Sequence, residues 1–147
     1  MSYGFHHIHI KAHDPKAVAD WFGKAFGFEI VIDAVRDSGD RIIRCALGGN
    51  HPPFVVISNP TPGQDLPEGR TAQSLGLEHF ALTTEDVPAE VLRLCELGAV
   101  LVGGPTIAPD GTVMAFLAVL GDVRVELVHF PANRETESSP KLSRETD

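Results

Sequence analysis

His7-Ile8-His9-Ile10-Lys11-Ala12-His13-Asp14 stands near the start of the chain, and His79-Phe80-Ala81-Leu82-Thr83-Thr84-Glu85-Asp86 stands past its middle. In both stretches a His opens a strand-like run and an Asp follows seven positions later. After each Asp comes a helical pattern: Val18, Trp21, Phe22 and Phe26 before Gly27, then Val91, Leu94 and Leu97 before Gly98. The offset of 72 positions that carries His7 onto His79 also carries Gly4 onto Gly76. Two like modules would present two imidazoles at equivalent places, and the pair could converge on one metal ion.

Working outward, Phe5–Ile10 reads as a strand. Asp14-Pro15 reads as an N-cap followed by Pro at the first helical position, where its missing N–H costs nothing. The helix should run to about Ala25 and stop near Gly27, a residue suited to a left-handed C-cap. Phe28–Val35, Arg41–Leu47 and Phe54–Ser58 are strand candidates, separated by turns rich in Gly, Pro, Asp and Asn. The segment from Asn59 to Gly76 has no periodicity and is expected to be a long connection. The order then repeats: strand Leu77–Thr83, helix Asp86–Leu97, and strands Val100–Val102, Thr112–Leu120 and Val123–Phe130. The expected organisation is a first βαβββ module over residues 1–60, a connection over 61–76, a second module over 77–130 and a disordered tail over 131–147. One βαβββ unit is too small to bury both faces of its sheet. The expected fold is therefore α+β, two modules forming a curved mixed sheet around a metal-containing cavity.

Composition narrows the function classes. A net charge of −8 over 147 residues argues against nucleic acid or an anionic membrane as partner. No apolar run approaches the roughly 18 residues that a membrane span needs, and the first residues show no basic segment followed by an apolar one, so neither a span nor a secretory signal is expected. The two cysteines, Cys45 and Cys95, lie in apolar stretches without CxxC spacing. They read as buried free thiols of a cytoplasmic protein.

The repeat, together with Trp21-Phe22, Phe26-Gly27-Phe28 and the closing Gly121-Asp122-Val123-Arg124-Val125-Glu126-Leu127, resembles the vicinal oxygen chelate superfamily. That family holds glyoxalase I, methylmalonyl-CoA epimerase, extradiol dioxygenases, fosfomycin-modifying enzymes and metal-free bleomycin resistance proteins. The resemblance covers about residues 3 to 130. It implies metal ligands on the first and last strands of each module, and His7, His79 and Glu126 fall on three of those positions. The fourth falls on Phe54–Ser58, where Phe54 to Ile57 cannot ligate through their side chains. Two His and one carboxylate leave open positions on Fe(II), Mn(II), Co(II), Ni(II) or Zn(II), which a substrate with two neighbouring oxygens could chelate. The resemblance further implies a small-molecule substrate and a homodimer, with modules paired within a chain or across it.

Each residue has a plainer reading as well. Asp14 and Asp86 are helix caps. Glu126 has Arg124 on its own strand parity as an alternative ion-pair partner. His9 shares parity with His7 and is a candidate acid–base group, with a structural histidine as the alternative. His6 and His129 have the opposite parity and read as structural, His13 as a surface residue and His51 as a turn residue. Glu126 and His9 are thus the candidate catalytic residues of a glyoxalase-like lyase or an extradiol-type dioxygenase. A dioxygenase of this family would place Tyr where this chain has Phe116, and a lyase would use the acid that is missing from Phe54–Ser58. A fosfomycin-modifying transferase and a non-catalytic binding protein of the bleomycin-resistance type are the alternatives.

Overall fold

In each module a capped helix connects the first strand to the other three. The computed structural model describes residues 2–132, so the expected tail lies outside the described residues beyond position 132. The first module contains β1 (His7–Lys11), α1 (Pro15–Phe26), β2 (Glu29–Val35), β3 (Arg41–Ala46) and β4 (Phe54–Ser58). The second contains β5 (Phe80–Thr83), α2 (Val87–Glu96), β6 (Val100–Ile107), β7 (Val113–Val119) and β8 (Val123–His129). The strands form two four-stranded mixed sheets, ordered β1-β4-β3-β2 and β5-β8-β7-β6. The fold is α+β with two βαβββ modules and no closed barrel.

The caps work alike in both modules. Asp14 accepts from the Ala17 amide at 3.0 Å and Asp86 from the Ala89 amide at 2.9 Å, each satisfying a backbone donor that the helix cannot. Gly27 ends α1 in the left-handed region, at φ 78°. Along α1, Val18, Ala19, Phe22 and Ala25 form the buried stripe, and along α2, Val87, Val91 and Leu94 do. Both stripes enter a single core cluster together with Ile43, Ile57, Leu117 and Val125. Trp21 Nε1 donates to the Leu97 carbonyl at 2.8 Å, tying the helices of the two modules together.

Several boundaries differ from expectation. β1 begins at His7, leaving Phe5 outside the strand, and β5 begins at Phe80, leaving Leu77 outside it. β6 runs on to Ile107, through Gly103, Gly104 and Pro105, with register shifts on both sides of Gly103. An edge strand tolerates glycines and a proline because its outer backbone groups need no ladder partner. Cys95 is exposed whereas Cys45 is buried, both as free thiols, because α2 turns Leu94 inward and its neighbour outward. No helix among the described residues is long and apolar enough to cross a membrane.

Candidate metal and substrate site

Strand alternation decides which side chains share a face. On β1, Ile8 and Ile10 turn toward the core while His7, His9 and Lys11 occupy the opposite face. On β8, Val125 and Leu127 enter the core, so Arg124, Glu126 and Val128 share the other face. β1 pairs parallel with β4, placing His7 opposite Phe54. β5 pairs parallel with β8, placing Ala81 opposite Glu126. The second pairing is shifted by two residues relative to the first, an even step that keeps every side chain on its face. His79 therefore sits diagonal to Glu126.

His79 Nε2 lies 3.0 Å from Glu126 Oε2, and His79 Nδ1 lies 2.6 Å from Glu78 Oε2. An imidazole that donates from Nδ1 to Glu78 turns the Nε2 lone pair toward a carboxylate oxygen. That arrangement needs a cation between the two atoms, either a proton on Nε2 or a metal ion. Two donors each about 2.1 Å from one ion and about 90° apart are separated by about 3.0 Å, which matches the spacing found. The donor set, one imidazole and one carboxylate with an outer carboxylate fixing the tautomer, suits a borderline divalent ion. Arg124 pairs with Glu78, Nε to Oε1 at 2.9 Å, and not with Glu126. Phe116 lies opposite Glu126 across the β7–β8 ladder. His79 meets its ring edge-on at 5.1 Å, and the Arg124 guanidinium lies 4.8 Å from its centre. The Phe116 ring thus floors the site without offering a hydroxyl.

The first module supplies a separate half-site. His9 Nε2 lies 2.9 Å from Oγ of the fully buried Ser58. The His7 and His9 rings are 6.4 Å apart. Partial desolvation, reinforced by the positive charge of Lys11, presses the His9 imidazole below its ordinary value. His7 Nδ1 meets His6 Nδ1 at 2.8 Å. Among the described residues of one chain, no three His, Cys, Asp or Glu side chains are gathered around a common point. His79 and Glu126 meet, and His7 stands on the other sheet. Of the remaining histidines, His13 pairs with Glu68 at 2.8 Å on the surface and His129 Nδ1 bonds the Thr84 carbonyl. His51 Nδ1 lies 3.2 Å from the Pro52 carbonyl oxygen.

A cavity of about 770 Å³ runs between β1, the connection and the lead into β5, with His9, Lys11, Glu68, Glu78, His79 and Arg124 in its wall. The connection is strapped onto the β7–β8 turn. A Cβ on Gly69 would lie 2.7 Å from that of Asp122, and Asp122 itself takes φ 55° after Gly121 at φ 92°, in the three-residue turn that joins the paired Val119 and Val123.

Sequence reasoning passed over Glu78 and weighed Arg124 only as a partner for Glu126. Strand alternation would send Glu78 away from His79, but β5 starts two residues later, so Glu78 lies outside the pleat and is free to wrap back. The charged pair Glu78-His79 was the available signal.

The model of the glyoxalase/bleomycin resistance protein/dioxygenase superfamily matches residues 6–116. The chain belongs to that superfamily. None of the curated proteins matches the sequence. Among solved structures of the glyoxalase fold, the glyoxalase family protein from Enterococcus faecalis is 22% identical with a TM-score of 0.68, over 86% of this chain and 97% of that one. The fosfomycin resistance protein FosX from Listeria monocytogenes, complexed with Mn(II) and sulfate, is 14% identical with a TM-score of 0.66, over 92% of this chain and 98% of that one. TnmS3, an antibiotic-binding protein from Streptomyces sp. CB03234, is 20% identical with a TM-score of 0.60, over 86% and 94%. At these identities the likeness is one of fold. The same fold thus carries both a metal-complexed resistance protein and an antibiotic-binding protein.

Proposed function

We propose that this protein is a divalent-metal-dependent enzyme acting on a small molecule that presents two neighbouring oxygens. In this reading His79 and Glu126 of one chain and His7 of a second copy hold the ion. The observation that carries the proposal is the 3.0 Å spacing of His79 Nε2 and Glu126 Oε2, with Glu78 fixing the imidazole. The ion, when bound, would polarise a carbonyl or enolate oxygen, or hold the substrate beside O₂. Glu126 then orients its second oxygen toward the substrate's acidic hydrogen. His9, backed by Ser58, supplies a neutral imidazole beside His7 for proton transfer. Phe116 brings no hydroxyl to the site, so proton movement falls to Glu126 and His9.

Sharing between two copies is supported by the leads into the edge strands. Tyr3 and Phe5 before β1, and the equivalent Leu75 and Leu77 before β5, have relative exposures from 68% to 103%. Apolar side chains at equivalent places beside two open sheet edges suit a symmetric, self-complementary dimer. The second reading, small-molecule binding without turnover, draws on the 770 Å³ cavity and on the antibiotic-binding relative.

Two measurements test the proposal. Wild-type protein purified without chelator should carry stoichiometric metal, and protein that neither carries nor takes up metal would leave only the binding reading. His7→Ala and Glu126→Ala should each abolish tight Co(II) binding. A dimer with one copy of each variant, isolated through two different tags, should regain roughly one site of its two. Failure of that mixed dimer to bind Co(II) would refute sharing of the ligands between copies.

A further inference from the structure

Among the described residues, two buried side-chain polar atoms have no hydrogen bond, Arg124 Nε and Glu78 Oε1. Both belong to the candidate site. They lie 2.9 Å apart, close enough for charge attraction but not aligned as donor and acceptor. Arg124 is only 9% exposed, and its one hydrogen bond is a long one, Nη1 to the Thr71 carbonyl at 3.3 Å. A guanidinium has five donors in a planar fork, and burying them unmatched costs stability. The Phe116 ring lies 4.8 Å from the centre of this fork, and Arg124 is among the residues lining the cavity.

We infer that Arg124 receives an oxyanion of the substrate, a carboxylate or phosphonate group, through the donors that Glu78 and Thr71 leave unmatched. The reason is geometric. Arg124 and Glu126 are two residues apart on one face of β8, so their Cα atoms are separated by roughly 6.6 Å. His79 and the guanidinium also share the Phe116 ring as a neighbour, so a group on the guanidinium edge would lie beside oxygens chelating an ion at His79 and Glu126. As a statement about substrate the inference rests on the metal reading above, whereas the anion site itself can be measured without metal.

The test uses metal-free full-length protein labelled with ¹⁵N, following the Arg124 Nε–H resonance, which is identified by its absence in Arg124→Lys. Titration with acetate or methylphosphonate should shift that resonance saturably, and uncharged acetamide should leave it in place. A response to acetate alone would identify a carboxylate, and to methylphosphonate alone a phosphonate. Arg124→Lys, which keeps the charge and loses the fork, should weaken the anion by about tenfold, followed through the neighbouring His79 and Glu126 amides. Arg124→Met, checked for folding by circular dichroism, should abolish binding. The inference is overturned if neither anion moves the resonance, if acetamide moves it equally, or if Arg124→Met binds as wild type does. A parallel Zn(II) titration separates the two readings. Anion binding without Zn(II) binding removes the metal reading, and Zn(II) binding without anion binding removes this one.

Discussion

Removing the Glu78 carboxylate should weaken metal binding although Glu78 is not itself a proposed ligand. Its Oε2 stands 2.6 Å from His79 Nδ1, a charge-assisted contact that holds the ring in the orientation bringing Nε2 to Glu126. Such bonds contribute about 1.5–3 kcal/mol. Glu78 is 27% exposed at its side chain, so solvent screening places its contribution toward the lower end. About 1.4 kcal/mol corresponds to tenfold and about 2.7 kcal/mol to a hundredfold, the range over which outer-shell partners of metal-bound histidines act. Glu78→Gln keeps an acceptor without its charge and should cost about tenfold in Zn(II) affinity. Glu78→Ala, which also releases the ring, should approach a hundredfold. The assay is competition for Zn(II) against a chromophoric chelator at pH 7.5. Urea unfolding in parallel separates lost affinity from lost structure, since Glu78→Ala also strips Arg124 of its counter-charge. If both variants bound Zn(II) within about twofold of wild type, the tautomer argument, and with it the fit of this site to a metal, would be refuted.

Two further outcomes concern stability. Leu94 is fully buried in the core that both helices share, so Leu94→Ala should cost about 2–5 kcal/mol. Urea denaturation should remain a single transition, and two separate transitions would contradict a common core. Asp40 is fully buried, and Arg36, followed by Ser38, holds its carboxyl well below the ordinary 3.8. A carboxyl depressed on folding contributes stability that is complete above its unfolded value and is lost as pH falls through its folded value. The stability difference between wild type and Asp40→Asn should therefore be constant from neutral pH to about 5 and shrink below 3.8. A difference that grew on acidification would contradict the ion pair.

Much of the architecture was legible because local chemistry and the repeat agree. Asp-Pro and Gly27 bound α1 where cap and φ requirements place them, and the period of the apolar residues separates helices from strands. The errors fall at edges, since Phe5 and Leu77 look like strand residues by composition but lie beyond the ladders. Gly103 to Pro105 looks like a turn but lies in an edge strand, where backbone demands are weaker. The absence of a ligating side chain at Phe54 to Ile57 was also legible, and the two-residue shift in pairing leaves it unchanged because the shift is even.

By itself the sequence determined two capped modules and the faces on which His7, His9, His79 and Glu126 stand, because strand parity and helix caps are local properties. Tertiary structure decided the rest. It set His79 3.0 Å from Glu126, put His7 on a separate sheet, and gathered Glu78 and Arg124 onto Phe116. Those outcomes depend on the register of a parallel pair, on where a strand begins and on how two sheets share one core. Such long-range contacts are set by packing across the whole chain, and no neighbouring residues encode them.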